Sequence, residues 1–155
     1  MTVSNAMRTK RIASLVLLSF FFMSVLSPDS SSQNIHDEYI QANVPDKKEF
    51  DTFLKRDLVK YFSESSRITV EVRYELLRNE PTQTGVAYPK FYLWVTISNN
   101  GKTIEQGAVR VAAIERREFE ITDYLKKEDI QRSPMTVYKI FPRGLCDKIF
   151  EKAKA

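Results

Sequence analysis

The chain is poor in the residues that most often carry chemistry: of 155 residues, one is cysteine, one is histidine and 4 are glycine. A single thiol, Cys146, excludes an internal disulfide, even in a compartment that would permit one. No cysteine follows the N-terminal apolar run, which excludes a lipoprotein anchor at that point. No Asn-x-Ser/Thr triplet occurs, so N-glycosylation is not indicated. The few glycines form no phosphate-cradling loop, and no internal repeat or low-complexity tract is visible. A Ser or Cys nucleophile needs a base beside it. The only imidazole, His36, falls in a polar segment far from Cys146 in sequence.

Charge is nearly balanced. Three of the 24 basic and one of the 20 acidic residues lie in the first 33 positions, so the leader and the remainder each carry about half of the net +4. Both signs are interleaved along the remainder. No concentrated basic face of the kind a nucleic-acid binder needs is expected. What the chain does have is apolar bulk, with 10 Phe and 7 Tyr. That is enough to bury a core and excludes disorder beyond the ends.

The segment Met7 to Gln33 has three parts. Arg8, Lys10 and Arg11 form a positive start, Ile12 to Leu26 is an uncharged apolar run, and Ser27 to Ser32 is a stretch of mostly small residues. This order is that of a secretory signal. The run is shorter than the roughly 20 residues of a membrane-spanning helix. Residues 1–32 are therefore read as a signal peptide cleaved after Ser32, with an uncleaved anchor as the alternative. Residues 33–45 are read as a flexible lead-in and 46–155 as a single α+β domain. The expected location is the periplasm or outside the cell, or the inner membrane if the leader stays.

After Pro45, Asp46 and Glu49 have the spacing of a capping box. Phe50, Phe53, Leu54, Leu58, Tyr61 and Phe62 recur at helical period, and Ser63, Ser65 and Ser66 are expected to stop that helix. From Arg67 to Leu77 the period changes to two. Ile68, Val70, Val72, Tyr74 and Leu76 alternate with charged or polar residues, which predicts an antiparallel strand buried on one face. A second strand is expected at Tyr88–Ser98, with Pro89 near its start. Asn99-Asn100-Gly101 is a hairpin turn, because Asn and Gly accept positive φ cheaply. A third strand follows at Thr103–Glu115, with Gly107 as a candidate bulge. Arg116-Arg117-Glu118 turns into a short fourth strand at Phe119–Thr122. One or two helical turns within Asp123–Gln131 and two helical pieces divided at Phe141-Pro142 complete the chain.

Helix, four-stranded meander and short C-terminal helices together define the expected α+β class. The N-terminal amphipathic helix is expected to lie on the sheet. This order is similar to that of cystatin-like and NTF2-like shapes. The likeness is one of element order, and a shared shape would not fix function.

Candidate chemistry is sparse. His36, Asp37 and Glu38 do not make a preformed metal site. Glu118 and Glu120 share a strand face but stand beside Arg116, Arg117 and Lys126, as an ion-paired edge would. Cys146 lies on the apolar stripe Leu145, Cys146, Ile149 and Phe150 of the last helix, where a buried, inert thiol is expected. No cofactor or metal is indicated.

The most suggestive feature is the second sheet face. Tyr92 and Trp94 point away from Phe91, Leu93 and Val95, and neighbouring-strand pairing puts Glu71, Arg73 and Arg110 beside them. Aromatic and Arg side chains together are what interaction hot spots are made of. Cover by the C-terminal helices, with Ala108 and Ala112 allowing close packing, is the competing reading. The leading expectation is a non-enzymatic binding module for a protein partner or small hydrophobic ligand. The alternatives are an NTF2-like enzyme with a pocket lined by Tyr74, Tyr88, Tyr92, Trp94 and Arg110, and a membrane-tethered envelope component.

Overall fold

The structure, a computed structural model, describes residues 30–85 and 87–155. The apolar run and most of the expected signal peptide lie outside the described residues. The described chain opens with α1 (Ser30–Asn43) and α2 (Lys47–Ser66). Four strands follow, β1 (Glu71–Leu76), β2 (Lys90–Asn99), β3 (Lys102–Ile114) and β4 (Glu118–Lys126). The short α3 (Lys127–Arg132) and α4 (Met135–Ile140) and the longer α5 (Arg143–Lys154) close the chain. The sheet is antiparallel throughout, in the order β1-β2-β3-β4. The α+β class with a four-stranded antiparallel meander is thus observed.

The polar stretch read as lead-in is largely helical. The end of α1 is tied to the β3–β4 turn by buried Asn43, whose carbonyl accepts Arg116 N–H at 2.8 Å and whose Oδ1 accepts Glu115 N–H at 3.3 Å. Glu115 and Arg116 both have positive φ, 46° and 60°, a conformation costly for non-glycine residues. The two bonds from Asn43 help hold it. The polar residues of α1 form no apolar stripe, so periodicity does not reveal this helix.

Asp46 precedes α2 as expected, but the capping box does not form. Its main-chain carbonyl accepts Glu49 N–H and Phe50 N–H, while its carboxylate binds the Arg116 guanidinium at 2.5 Å. A charge-assisted bond to arginine displaces the weaker bond to a helix amide. The helix does end at the serines, with Ser66 its last residue. Ser66 Oγ donates to Phe62 O at 2.6 Å, and the helix closes one residue later, at Arg67, in the left-handed conformation.

Asn100 and Gly101 take φ of 49° and 75°, the doubly positive pattern of the two-residue hairpin turn. Gly107 is not a bulge. It pairs regularly with Val95, and the register shifts instead at Ile97/Ser98 and Arg110/Val111. Its role is close approach: a Cβ there would lie 2.2 Å from Leu125 O and 2.6 Å from Tyr124 Cε2. The fourth strand extends to Lys126, past the expected end at Thr122, so helical structure begins only at Lys127.

Each sheet face carries its own core. On the inner face Leu54, Leu58 and Phe62 of α2 cluster with Val72, Phe91, Leu93, Val95, Val109, Val111 and Phe119. Phe50, Phe91 and Phe119 meet edge to face, with centroids 5.0–6.1 Å apart. On the outer face Tyr92, Trp94 and Ala108 cluster with Ile130, Val137, Phe141, Cys146 and Ile149 of the C-terminal helices.

Candidate functional site

The second core divides the residues that the strand pattern groups together. Tyr92 and Trp94 do share a face with Arg110, but that face is largely roofed by the protein's own helices. Tyr92 is 4% exposed, its hydroxyl 2.5 Å from Thr82 Oγ1 and its ring 6.0 Å from Phe141. Trp94 is 7% exposed. Arg110 Nε donates to Asp123 Oδ2 at 2.6 Å, and its Nη1 donates to Ile140 O at 3.1 Å. It ties the sheet to the end of α4. Of the two readings of this face, cover by the C-terminal helices is the one observed for these three residues: Tyr92, Trp94 and Arg110 hold the second layer in place. Close packing over Ala108, fully buried in the outer core, is the physical reason.

Glu71 and Arg73 remain outside the roof. Both are exposed, on the outer face of β1. Neither side chain makes a hydrogen bond or ion pair with any described residue. Arg73 borders a groove of 430 Å³, with Glu75, the rim of Trp94, Thr96, Gln106 and Lys152 among its other walls. Gln106 Nε2 donates to Thr96 Oγ1 at 3.1 Å across the groove floor. Glu75 accepts Lys152 at 2.5 Å and Lys148 at 3.3 Å. The Lys152 bond, with help from Lys148, holds the Glu75 carboxyl below its usual range against the opposing effect of desolvation.

The groove runs beside a sheet edge, that of β1, on which no described strand pairs. Leu77 N–H bonds to Tyr92 O, which places Leu77, Glu75, Arg73 and Glu71 in the rungs bonded to β2. Their neighbours Val72, Tyr74 and Leu76 therefore aim their N–H and C=O groups away from the sheet, because bonding direction alternates along an antiparallel strand. The opposite edge is treated differently. At the start of β4, Phe119 N–H donates to the buried carboxylate of Asp57 at 2.8 Å. Asp57 is itself held by Arg56, at 2.8 and 3.0 Å.

Other candidates are not brought together. Tyr74 points to the inner face, where its hydroxyl donates to Asp51 at 2.7 Å, and burial with this bond pushes its phenol above the usual range. Tyr88 is exposed, so Tyr74, Tyr88, Tyr92, Trp94 and Arg110 do not converge on one pocket. Cys146 is 1% exposed, and burial raises its thiol above the usual range. Glu118 and Glu120 are exposed and, contrary to expectation, join no ion pair among the described residues. His36 is in α1 by its backbone; its side chain lies outside the described part. Among the described residues no three His, Cys, Asp or Glu groups stand together as metal ligands, and no helix is long and apolar enough to cross a membrane.

Sequence reasoning missed Glu75, Thr96, Gln106 and Lys152. The alternation that selected Arg73 also puts Glu75 on the outer face. Nothing local shows that Lys152, in the C-terminal lysine cluster, reaches it. Compared with protein-family models, curated proteins and solved structures, the chain finds no match in any of the three. The functional argument therefore stands on this geometry.

Proposed function

We propose that the chain is an exported, non-enzymatic interaction module that takes an extended segment of a protein partner along the free edge of β1. The observation that carries this reading is the outward row of main-chain groups at Val72, Tyr74 and Leu76. A strand added there gains main-chain bonds, and alternate side chains give it specificity. Arg73 and Glu71, without partners among the described residues, supply charge beside that row, and the groove between Arg73 and Gln106 supplies space for the partner's side chains. The covered state of Tyr92 and Trp94 favours a polypeptide over the small hydrophobic ligand, since the aromatic surface is already buried. The three-part leader before Gln33 supports export to the periplasm or beyond. If the leader is cut after Ser32, the first turn of α1 leaves with it. Element order supports the likeness to cystatin-like and NTF2-like shapes.

The test is amide hydrogen exchange with capped eight-residue peptides in which apolar residues alternate with Glu and Lys. Binding should slow exchange at Val72, Tyr74 and Leu76, and Arg73→Glu should change which charge pattern binds while circular dichroism stays the same. Peptides that bind without protecting these three amides would defeat the reading.

A further inference from the structure

We infer that the strand received at β1 is β1 of a second copy of this chain, giving a two-fold dimer with a continuous eight-stranded sheet. The inference rests on the reading of β1 as a docking edge and names its partner.

The argument is one of register. Outward main-chain groups sit on Val72, Tyr74 and Leu76 only, so an antiparallel partner copy must place these three against the same three. Any odd shift would set inner against outer faces and is excluded. Of the even registers, the one with its axis through Tyr74 overlaps the whole of β1. It sets Val72 against Leu76 of the second copy and Arg73 against Glu75, each contact occurring twice. Moving by one rung in one direction sets Arg73 against Arg73 and Glu71 against Glu75. Moving the other way sets Glu75 against Glu75. Opposed like charges destabilise a strand pair and opposed unlike charges stabilise it, at a separation of about 5 Å. Among the registers that pair most of the strand, the charges of Glu71, Arg73 and Glu75 thus select one.

Arg73 is ready for this contact because its side chain has no partner among the described residues. Glu75 keeps its lysines: Lys152 holds Oε2 and Lys148 approaches Oε1 at 3.3 Å, so the carboxylate can take a third cation from across the axis. The arrangement also stops growing. A two-fold pairing uses the same edge of both copies, and the β4 edges that remain begin with Phe119 N–H already bonded to Asp57. The paired edge is six residues, roughly 20 Å of strand. An interface that short is smaller than those of permanent dimers, so association is expected to be weak and concentration-dependent.

Sedimentation of the full chain, as processed by its host, tests the proposal. Wild type should move from monomer to dimer with rising concentration. Arg73→Glu and Glu75→Arg should each raise the dissociation constant at least ~10-fold, because each homodimer then carries two like-charge contacts. An equimolar mixture of the two variants should dimerise, since one contact then joins the two exchanged charges, again of opposite sign, and the native Arg73–Glu75 pair survives at the other. A mixture that stays monomeric overturns the proposal. So does a wild type that is monomeric throughout, and this would leave the broader reading of β1 standing if the peptides above still protect its amides. Glu75→Arg faces Lys148 and Lys152 and could unfold. Wild-type hydrogen exchange therefore serves as a second measurement: Val72, Tyr74 and Leu76 must become protected on concentration, and unchanged exchange overturns the proposal.

Discussion

The two faces of the sheet are covered by different means. On the inner face one long helix lays Leu54, Leu58 and Phe62, spaced four apart, onto strand residues that are nearly all aliphatic or Phe. On the outer face the six-residue α3 and α4 each bury one apolar residue, Ile130 and Val137, Phe141 follows at the end of α4, and α5 lays down Leu145, Cys146, Ile149 and Ala153. There the layer is pinned by directed contacts as well as by burial: Arg110, held by Asp123, to Ile140 O, and Lys148 and Lys152 to Glu75. The long helix is fastened by polar bonds too, Asp57 to Phe119 N–H and Asp51 to the Tyr74 hydroxyl, so the faces differ in how far their cover extends. Where the outer roof ends it leaves the groove and the β1 edge open.

Truncating a core aromatic on either face puts this contrast under the greatest strain. Trp94→Ala should lower stability by about 3–5 kcal/mol, as truncation of a buried aromatic does, and Phe119→Ala should cost a similar amount on the other face. Denaturant titration measures both. If Trp94→Ala is nearly neutral while Phe119→Ala is not, the outer layer is not a second core. Removing the fasteners comes next. Arg110→Ala should cost about 2 kcal/mol, since it leaves the Asp123 carboxylate, 22% exposed, without its charged partner. Asp57→Ala should cost about 1–3 kcal/mol by orphaning the Phe119 amide, and should expose the start of β4 as a second free edge. Its signature is faster exchange of that amide.

Smaller effects sharpen the picture at the groove. The Glu75 carboxyl is held below its usual range, so its contribution is complete above the ordinary carboxylate range and is lost as pH falls through its folded value. Because Glu75 is about half exposed, solvent screens the pair and the change is expected to be slight. Melting curves between neutral and acid pH should show a small loss that Glu75→Gln abolishes. Smallest of all, Cys146 in folded protein should react with thiol reagents far more slowly than in denaturant. Equal rates would show that α5 does not close over the sheet.

Much of this architecture is legible in the sequence because it depends on near neighbours along the chain. Alternation from Val70 to Leu76 and from Phe91 to Ile97 assigns inward and outward sides correctly, and Asn100-Gly101 marks its hairpin. What fails does so through distant partners. Asp46 has a capping box within reach, but Arg116, 70 residues on, takes its carboxylate. Gly107 reads as a bulge because nothing local shows the Tyr124 ring that occupies its side-chain space. Of the five proposed site residues, Glu71 and Arg73 lie outside the roof and Tyr92, Trp94 and Arg110 beneath it.

By itself the amino-acid order determined α2, the four-stranded meander and which side of each strand is greasy, because those properties follow from backbone preference and side-chain period; α1 and the end of β4 were not legible in it. Whether the aromatic side would meet water or another layer was decided only in three dimensions. Helices of six residues are too short to declare a target by their own stripe. They find one only when the folded sheet offers a small residue, Ala108, to settle on and Asp123-held Arg110 to grip.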